Sequence, residues 1–188
     1  DAMAGGKYGY LRTSVSHNEA GNYKDGDGNR IHSSFERRNQ MLQLGFTPTE
    51  NTLLTGTYER SRGEAAYADR MMDGSKFDRD AWNVRFVQRN IAPWFTELEL
   101  RYGQSKIDHV MDTYSLRYLR MKGNQVKKAM NPKRETDTGH LKATFDWSDI
   151  NLQTGIDYMR DKHLARMEMR GEGYTHKPYQ PQQNFTQW

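Results

Sequence analysis

The sequence predicts an all-β fold, an antiparallel up-and-down transmembrane β-barrel, with this chain a segment of about seven of its strands. Period-2 alternation of apolar and polar residues recurs in strand-length segments along the chain. The joints between those segments alternate between short turns and long polar loops, which is how an outer-membrane barrel is built, with tight turns at one end and extended loops at the other. The third observation is compositional. Mean hydropathy is -1.05, and 35% of the 188 residues are hydrophobic, 28% charged and 12% aromatic. A disordered chain lacks aromatics placed in alternating stretches, whereas a barrel with a wet interior needs an apolar residue only at every second strand position.

The strands read at residues 6–17, 34–47, 52–62, 77–90, 95–109, 136–147 and 151–163. Each is about the length a tilted strand needs to cross a bilayer and run on beyond it. Tight turns containing Pro, Asn or Asp follow the second strand (Thr47-Pro48-Thr49-Glu50-Asn51), the fourth (Asn90-Ile91-Ala92-Pro93-Trp94) and the sixth (Trp147-Ser148-Asp149-Ile150-Asn151). The remaining joints, around 18–33, 63–76 and 110–135, are rich in Gly, Asp, Asn, Lys and Met and read as extracellular loops. Gly171 to Trp188, with Pro178 and Pro181, reads as a fourth loop or its descending limb. Gln182 to Gln187 shows no strand alternation, so Trp188 reads as a cut end.

Alternation assigns faces. Trp82, Val84 and Phe86 oppose Asn83 and Arg85; Leu98, Leu100 and Tyr102 oppose Glu97, Glu99 and Arg101. Leu141, Ala143 and Phe145 oppose His140, Lys142, Thr144 and Asp146, while Leu152, Ile156 and Tyr158 oppose Gln153, Asp157 and Asp161. One face suits lipid and the other water. A half-exposed soluble sheet gives the same alternation, and only the loop asymmetry separates the two. An arc of seven strands leaves two open edges that lipid does not tolerate, so the chain reads as part of a larger barrel.

Several classes are excluded or disfavoured. No run approaches the ~20 apolar residues of a transmembrane helix. The start Asp1-Ala2-Met3 has no basic-then-apolar leader and reads as a processed or internal end. With no cysteine, the segment has no disulfide, thiolate ligand or thiol nucleophile. A net charge of +4, with acidic residues interspersed among basic ones, does not point to nucleic acid. Outer-membrane lipid and lipopolysaccharide phosphates are the destination expected for part of the basic surface. No hydrolase, metalloprotease or nucleotide-binding motif is present, and the chain is not read as an enzyme.

Asp25-Gly26-Asp27-Gly28-Asn29 with Glu36 matches several positions of a calcium loop, but Arg30 stands where that loop turns on glycine, so a turn-rich loop tip is the expected reading. Methionine is the stronger bias. Of ten in the chain, Met71, Met72, Met111, Met121, Met130, Met167 and Met169 fall in or beside loops, where exposed thioethers gain no packing. Thioether sulfur is a soft donor that favours Cu(I), and imidazole accepts copper in either oxidation state. His109 and Met111, two apart in an extended segment, share a face, and the parity of Glu97, Glu99 and Arg101 makes that face the lumenal one. Met167-Glu168-Met169 has the same spacing.

The stretches Tyr23 to Asn29, Gly63 to Arg70, Met72 to Phe77 and Asp108-His109-Val110-Met111-Asp112-Thr113-Tyr114-Ser115-Leu116-Arg117, continued by Met130-Asn131-Pro132, Arg134 and Thr136, resemble the TonB-dependent copper receptors of Gram-negative outer membranes. The resemblance implies a 22-stranded barrel closed by an N-terminal plug and energised through the inner-membrane TonB complex. It implies import of copper, as Cu(I), through a site in which a plug segment supplies a Cys and a Met and a barrel His-x-Met supplies the rest, here His109 and Met111. On this reading residues 1–188 belong to the barrel domain, and the plug is not part of the segment. A siderophore receptor of the same architecture and a structural or adhesive outer-membrane barrel are the alternatives.

Overall fold

The computed structural model describes residues 1–117 and 126–187; Met121 and Trp188 lie outside the described residues. Twelve strands follow in order: β1 (Ala2–Gly6), β2 (Gly9–Ala20), β3 (Tyr23–Lys24), β4 (Arg30–Ile31), β5 (Phe35–Thr49), β6 (Thr52–Ala65), β7 (Asp73–Ala92), β8 (Phe95–Asp112), β9 (Ala129–Trp147), β10 (Ile150–Glu168), β11 (Gln180–Pro181) and β12 (Phe185–Gln187). The long strands form one antiparallel meander, β1-β2-β5-β6-β7-β8-β9-β10, with β11 and β12 both on the far side of β10; β3 and β4 make a separate hairpin.

Four connections are two residues long: Lys7-Tyr8, Glu50-Asn51, Pro93-Trp94 and Ser148-Asp149. In an up-and-down meander they all fall at one end of the sheet. The intervening stretches, 21–34, 66–72, 113–117 with 126–128, and 169–184, fall at the other. The predicted asymmetry therefore holds for every joint. Ser148 reaches φ 37°, the left-handed backbone that a two-residue hairpin demands.

Two expectations are corrected. The strand read at 6–17 corresponds to β2, Gly9–Ala20, and a further strand, β1, precedes it in a hairpin that was not read, because Gly5, Gly6 and Gly9 leave little side-chain alternation to reveal it. Phe185–Gln187, read as lacking strand character, pairs with Asp161 to Met159 of β10, its register set by the neighbouring strand and not by its own pattern. Several strands also overrun their predicted ends: β7 begins at Asp73, β8 ends at Asp112, β9 begins at Ala129 and β10 ends at Glu168. These extensions carry no clean apolar–polar alternation, so the sequence signal vanishes while backbone pairing continues.

Cross-strand register assembles the apolar face into rows. Leu54 lies opposite Phe86, Phe86 opposite Leu100, Leu100 opposite Leu141 and Leu141 opposite Ile156. Four of these stay open at 41%, 42%, 39% and 61% exposure (Leu54, Leu100, Leu141 and Ile156). No second layer of described residues covers the row, which a soluble sheet would require and a lipid-facing wall does not. Aromatics bound the band at both ends. Trp82 meets Tyr102 at 5.4 Å toward the long loops, while Trp94, Phe95, Phe145 and Trp147 stack at 4.9 to 6.1 Å by the short turns.

The opposite face carries charge. Glu99, 2% exposed, accepts from Arg85 Nε at 2.5 Å and from Arg101, with Lys142 at 3.6 Å. Lys142 also holds Glu97 at 2.9 Å, and Arg89 holds it at 3.2 Å. A carboxylate this enclosed is tolerable because three cations surround it.

Candidate metal site at the long-loop end

His109 and Met111 lie near the long-loop end of β8, on the charged face with Glu97 and Glu99, as parity requires. His109 is directly opposite Phe77 of β7, and the two rings stack at 4.3 Å and 30°. Room for that stack comes from Gly74. A Cβ there would sit 2.0 Å from the Phe77 ring, so any side chain would push the phenyl group off the imidazole. Ser75 bulges out of the β7–β8 ladder between Gly74 and Lys76, which sets Gly74 opposite Met111.

The imidazole is enclosed. Its Nε2 is the single buried side-chain nitrogen or oxygen without a hydrogen-bond partner among the described residues. Burial pushes the His109 pKa below its usual 6.5, with Asp108 pulling the other way, which favours the uncharged ring. Buried polar atoms are normally bonded, so the orphaned imidazole nitrogen is open to a further partner.

On the other side of β8 the ladder is interrupted. Paired residues run to Asp108 with Lys133 and resume at Met111 with Met130, skipping His109 and Val110. Pro132 stands at this gap and has no N–H to give. The side chain of Asn131, 1% exposed, takes its place: Nδ2 donates to the His109 carbonyl at 2.8 Å and to Asp108 Oδ1 at 2.5 Å. Its Oδ1 accepts from Arg166 Nε at 2.9 Å and from the Tyr179 hydroxyl at 2.6 Å. Asn131 thus ties the backbone of His109 to the loop that follows β10. Asn131→Ala is expected to leave that carbonyl unpaired and weaken metal capture at His109 by about tenfold. A titration of the full-length variant showing parental affinity would contradict this.

Register adds what spacing could not. Met111 lies opposite Met130, and Met130 opposite Met167, so three thioethers line up across β8, β9 and β10 on the face of His109. Met167 is therefore a neighbour of Met130 more than a pair with Met169, which lies beyond the end of β10. Met71, 80% exposed in the 66–72 loop, is not brought into the row. Among the described residues no three His, Cys, Asp or Glu side chains gather as a metal site.

The calcium-like stretch closes on itself. Asp25 accepts from the Asp27 and Asn29 amides at 3.0 and 2.8 Å and from Asn29 Nδ2 at 3.1 Å, at the tip of the β3–β4 hairpin. Glu36 is away in β5, 2.6 Å from Arg38.

Above the site a second carboxylate gathers three loops. Asp73, 0% exposed, accepts from Arg117 Nε and Nη2 at 2.9 and 2.8 Å, from the Tyr67 amide at 2.9 Å, and is 2.7 Å from His32 Nε2. Burial alone would raise its pKa, but these donors outweigh burial and hold it below 3.8. Asp112, directly opposite, bonds Ser75, Ser115 and the Tyr114 amide.

No protein-family model matches the chain, and no curated protein sequence does. Among solved structures the chain is similar to the copper transporter OprC, at 34% sequence identity and a TM-score of 0.89. The likeness covers 98% of this chain and 30% of that one, so the chain spans less than a third of the length of the transporter it matches. It relates this sheet to the barrel of a copper transporter.

Proposed function

We propose that the chain is part of an outer-membrane, TonB-dependent receptor that imports copper, with His109 and Met111 as copper ligands. The observation that carries the reading is the buried, unpartnered Nε2 of His109, two residues from a thioether on the same face of β8. A neutral imidazole and a thioether are donors suited to Cu(I). The likeness to the copper transporter OprC supports the same cargo. Copper is substrate here, and the remaining donors would come from a plug outside this segment, whose movement under the TonB complex would release the metal inward. Met130 and Met167, in register with Met111, would hand copper along the rim toward it.

Metal analysis of the full-length protein tests the assignment. Stoichiometric copper that is lost on His109→Ala or on Met111→Ala supports it, and copper kept by both variants overturns it. Met167→Leu is expected to slow capture at low copper concentration while leaving the bound stoichiometry intact; unchanged capture would remove the rim path.

A further inference from the structure

Directly above the aromatic end of the apolar band, the lipid-side face carries a row of alternating charge. Arg60 of β6 lies opposite Asp80 of β7, Asp80 opposite Lys106 of β8, Lys106 opposite Glu135 of β9, and Glu135 opposite Lys162 of β10. One step toward the short turns, Tyr58 faces Trp82. One step toward the loops, the charges are mutually engaged. Arg62 holds Asp80 at 2.6 Å and Asp78 at 3.4 Å, while Lys76 holds Asp78 at 3.5 Å and Asp108 at 2.9 Å. The Tyr58 hydroxyl donates to Asp80 at 2.8 Å.

The consequence is a surplus of cations in the row. Asp80 is already bound by Arg62 and Tyr58, whereas Arg60, Lys106 and Lys162 are exposed and make no close ion pair among the described residues. They stand on every second strand, so adjacent ones are ~9.5 Å apart, with a carboxylate between each pair to limit their mutual repulsion. This height on a barrel wall, one residue pair past the interfacial aromatics, is where the headgroups of the surrounding lipid lie.

We infer that Arg60, Lys106 and Lys162 form a docking site for the phosphorylated headgroup of an outer-leaflet glycolipid, whose acyl chains lie along the Leu54, Phe86, Leu100, Leu141 and Ile156 row. Phosphate monoesters accept charge-assisted hydrogen bonds from Lys and Arg, and the apolar row supplies the anchor that a free anion lacks. The inference rests on the lipid-facing reading of the apolar wall and is independent of copper.

The test uses the full-length barrel in a neutral detergent, titrated with a diphosphorylated glycolipid and with its dephosphorylated form. Arg60→Ser, Lys106→Ser and Lys162→Ser combined are expected to weaken binding of the phosphorylated lipid at least tenfold, and the charge-keeping set Arg60→Lys, Lys106→Arg and Lys162→Arg to preserve it. Dephosphorylated lipid should bind parent and serine variant equally and more weakly. Parental affinity in the serine variant, or equal affinity of the parent for both lipids, overturns the site. Displacement by inorganic phosphate at the same molar concentration would overturn the lipid assignment. Failure of either lipid to bind the parent would instead count against the lipid-facing wall.

Discussion

Full-length protein carrying His109→Ala is expected to bind copper more weakly by on the order of a hundredfold or more, about 3 kcal/mol. Loss of an outer partner of a metal ligand costs ten- to a hundredfold, and loss of the ligand itself should exceed the upper part of that range. Met111→Leu is the sharper variant. It keeps volume and removes only the sulfur, so a fall in copper affinity with unchanged thermal stability isolates the donor from the packing. Leucine at 111 with parental copper affinity would show that the thioether is not a ligand. His109→Ala, by contrast, also strips the Phe77 ring of its stacking partner, so its unfolding must be followed in parallel. The Asn131→Ala effect should be smaller than either, because the ligand atom remains and only its backbone support goes.

Asp73→Ala is expected to loosen three loops in one step. The carboxylate is the shared acceptor for His32 of the 21–34 loop, the Tyr67 amide of the 66–72 loop and Arg117 of the 113–117 stretch. Its removal strands a guanidinium made to face a buried charge, and breaking such a pair costs about 3–5 kcal/mol. Because the strands are held by their own ladders, the loss should be local. Amide hydrogen exchange should rise in those loops and stay parental in the β7–β8 ladder, and unchanged exchange in all three loops would refute the linkage. Its pH dependence follows from the depressed carboxyl. The stabilisation is complete above 3.8, the ordinary aspartate value, and is lost only as pH falls through the lower value of the folded state. Loop protection should therefore hold through mild acid and fail below it.

The same contrast between strand and loop explains what could be read without a structure. Trp82, Val84 and Phe86 against Asn83 and Arg85 announced a wall with one lipid-like face, because side-chain direction in a strand depends only on position parity. The tight turns announced themselves through Pro48, Pro93 and Asp149. Parity also put His109 and Met111 on one face. It failed where apolar and polar residues do not alternate, as at Asp73 to Lys76 and Ala129 to Glu135, and where glycine has no side chain to alternate, as in β1.

Other features of the site belong to register. That Met130 and Met167 join Met111, that Phe77 covers His109 over the bare Gly74, that Asn131 fills the hydrogen bond Pro132 cannot make, and that Arg60, Asp80, Lys106, Glu135 and Lys162 form one row are all pairings between strands remote in sequence. By itself the sequence determined strand direction, face and which end of the sheet carries the long loops. Only the tertiary structure decided which side chains stand opposite one another, because parity is a property of a single strand, whereas opposition depends on turn length and on bulges such as Ser75 that slide one strand along the next.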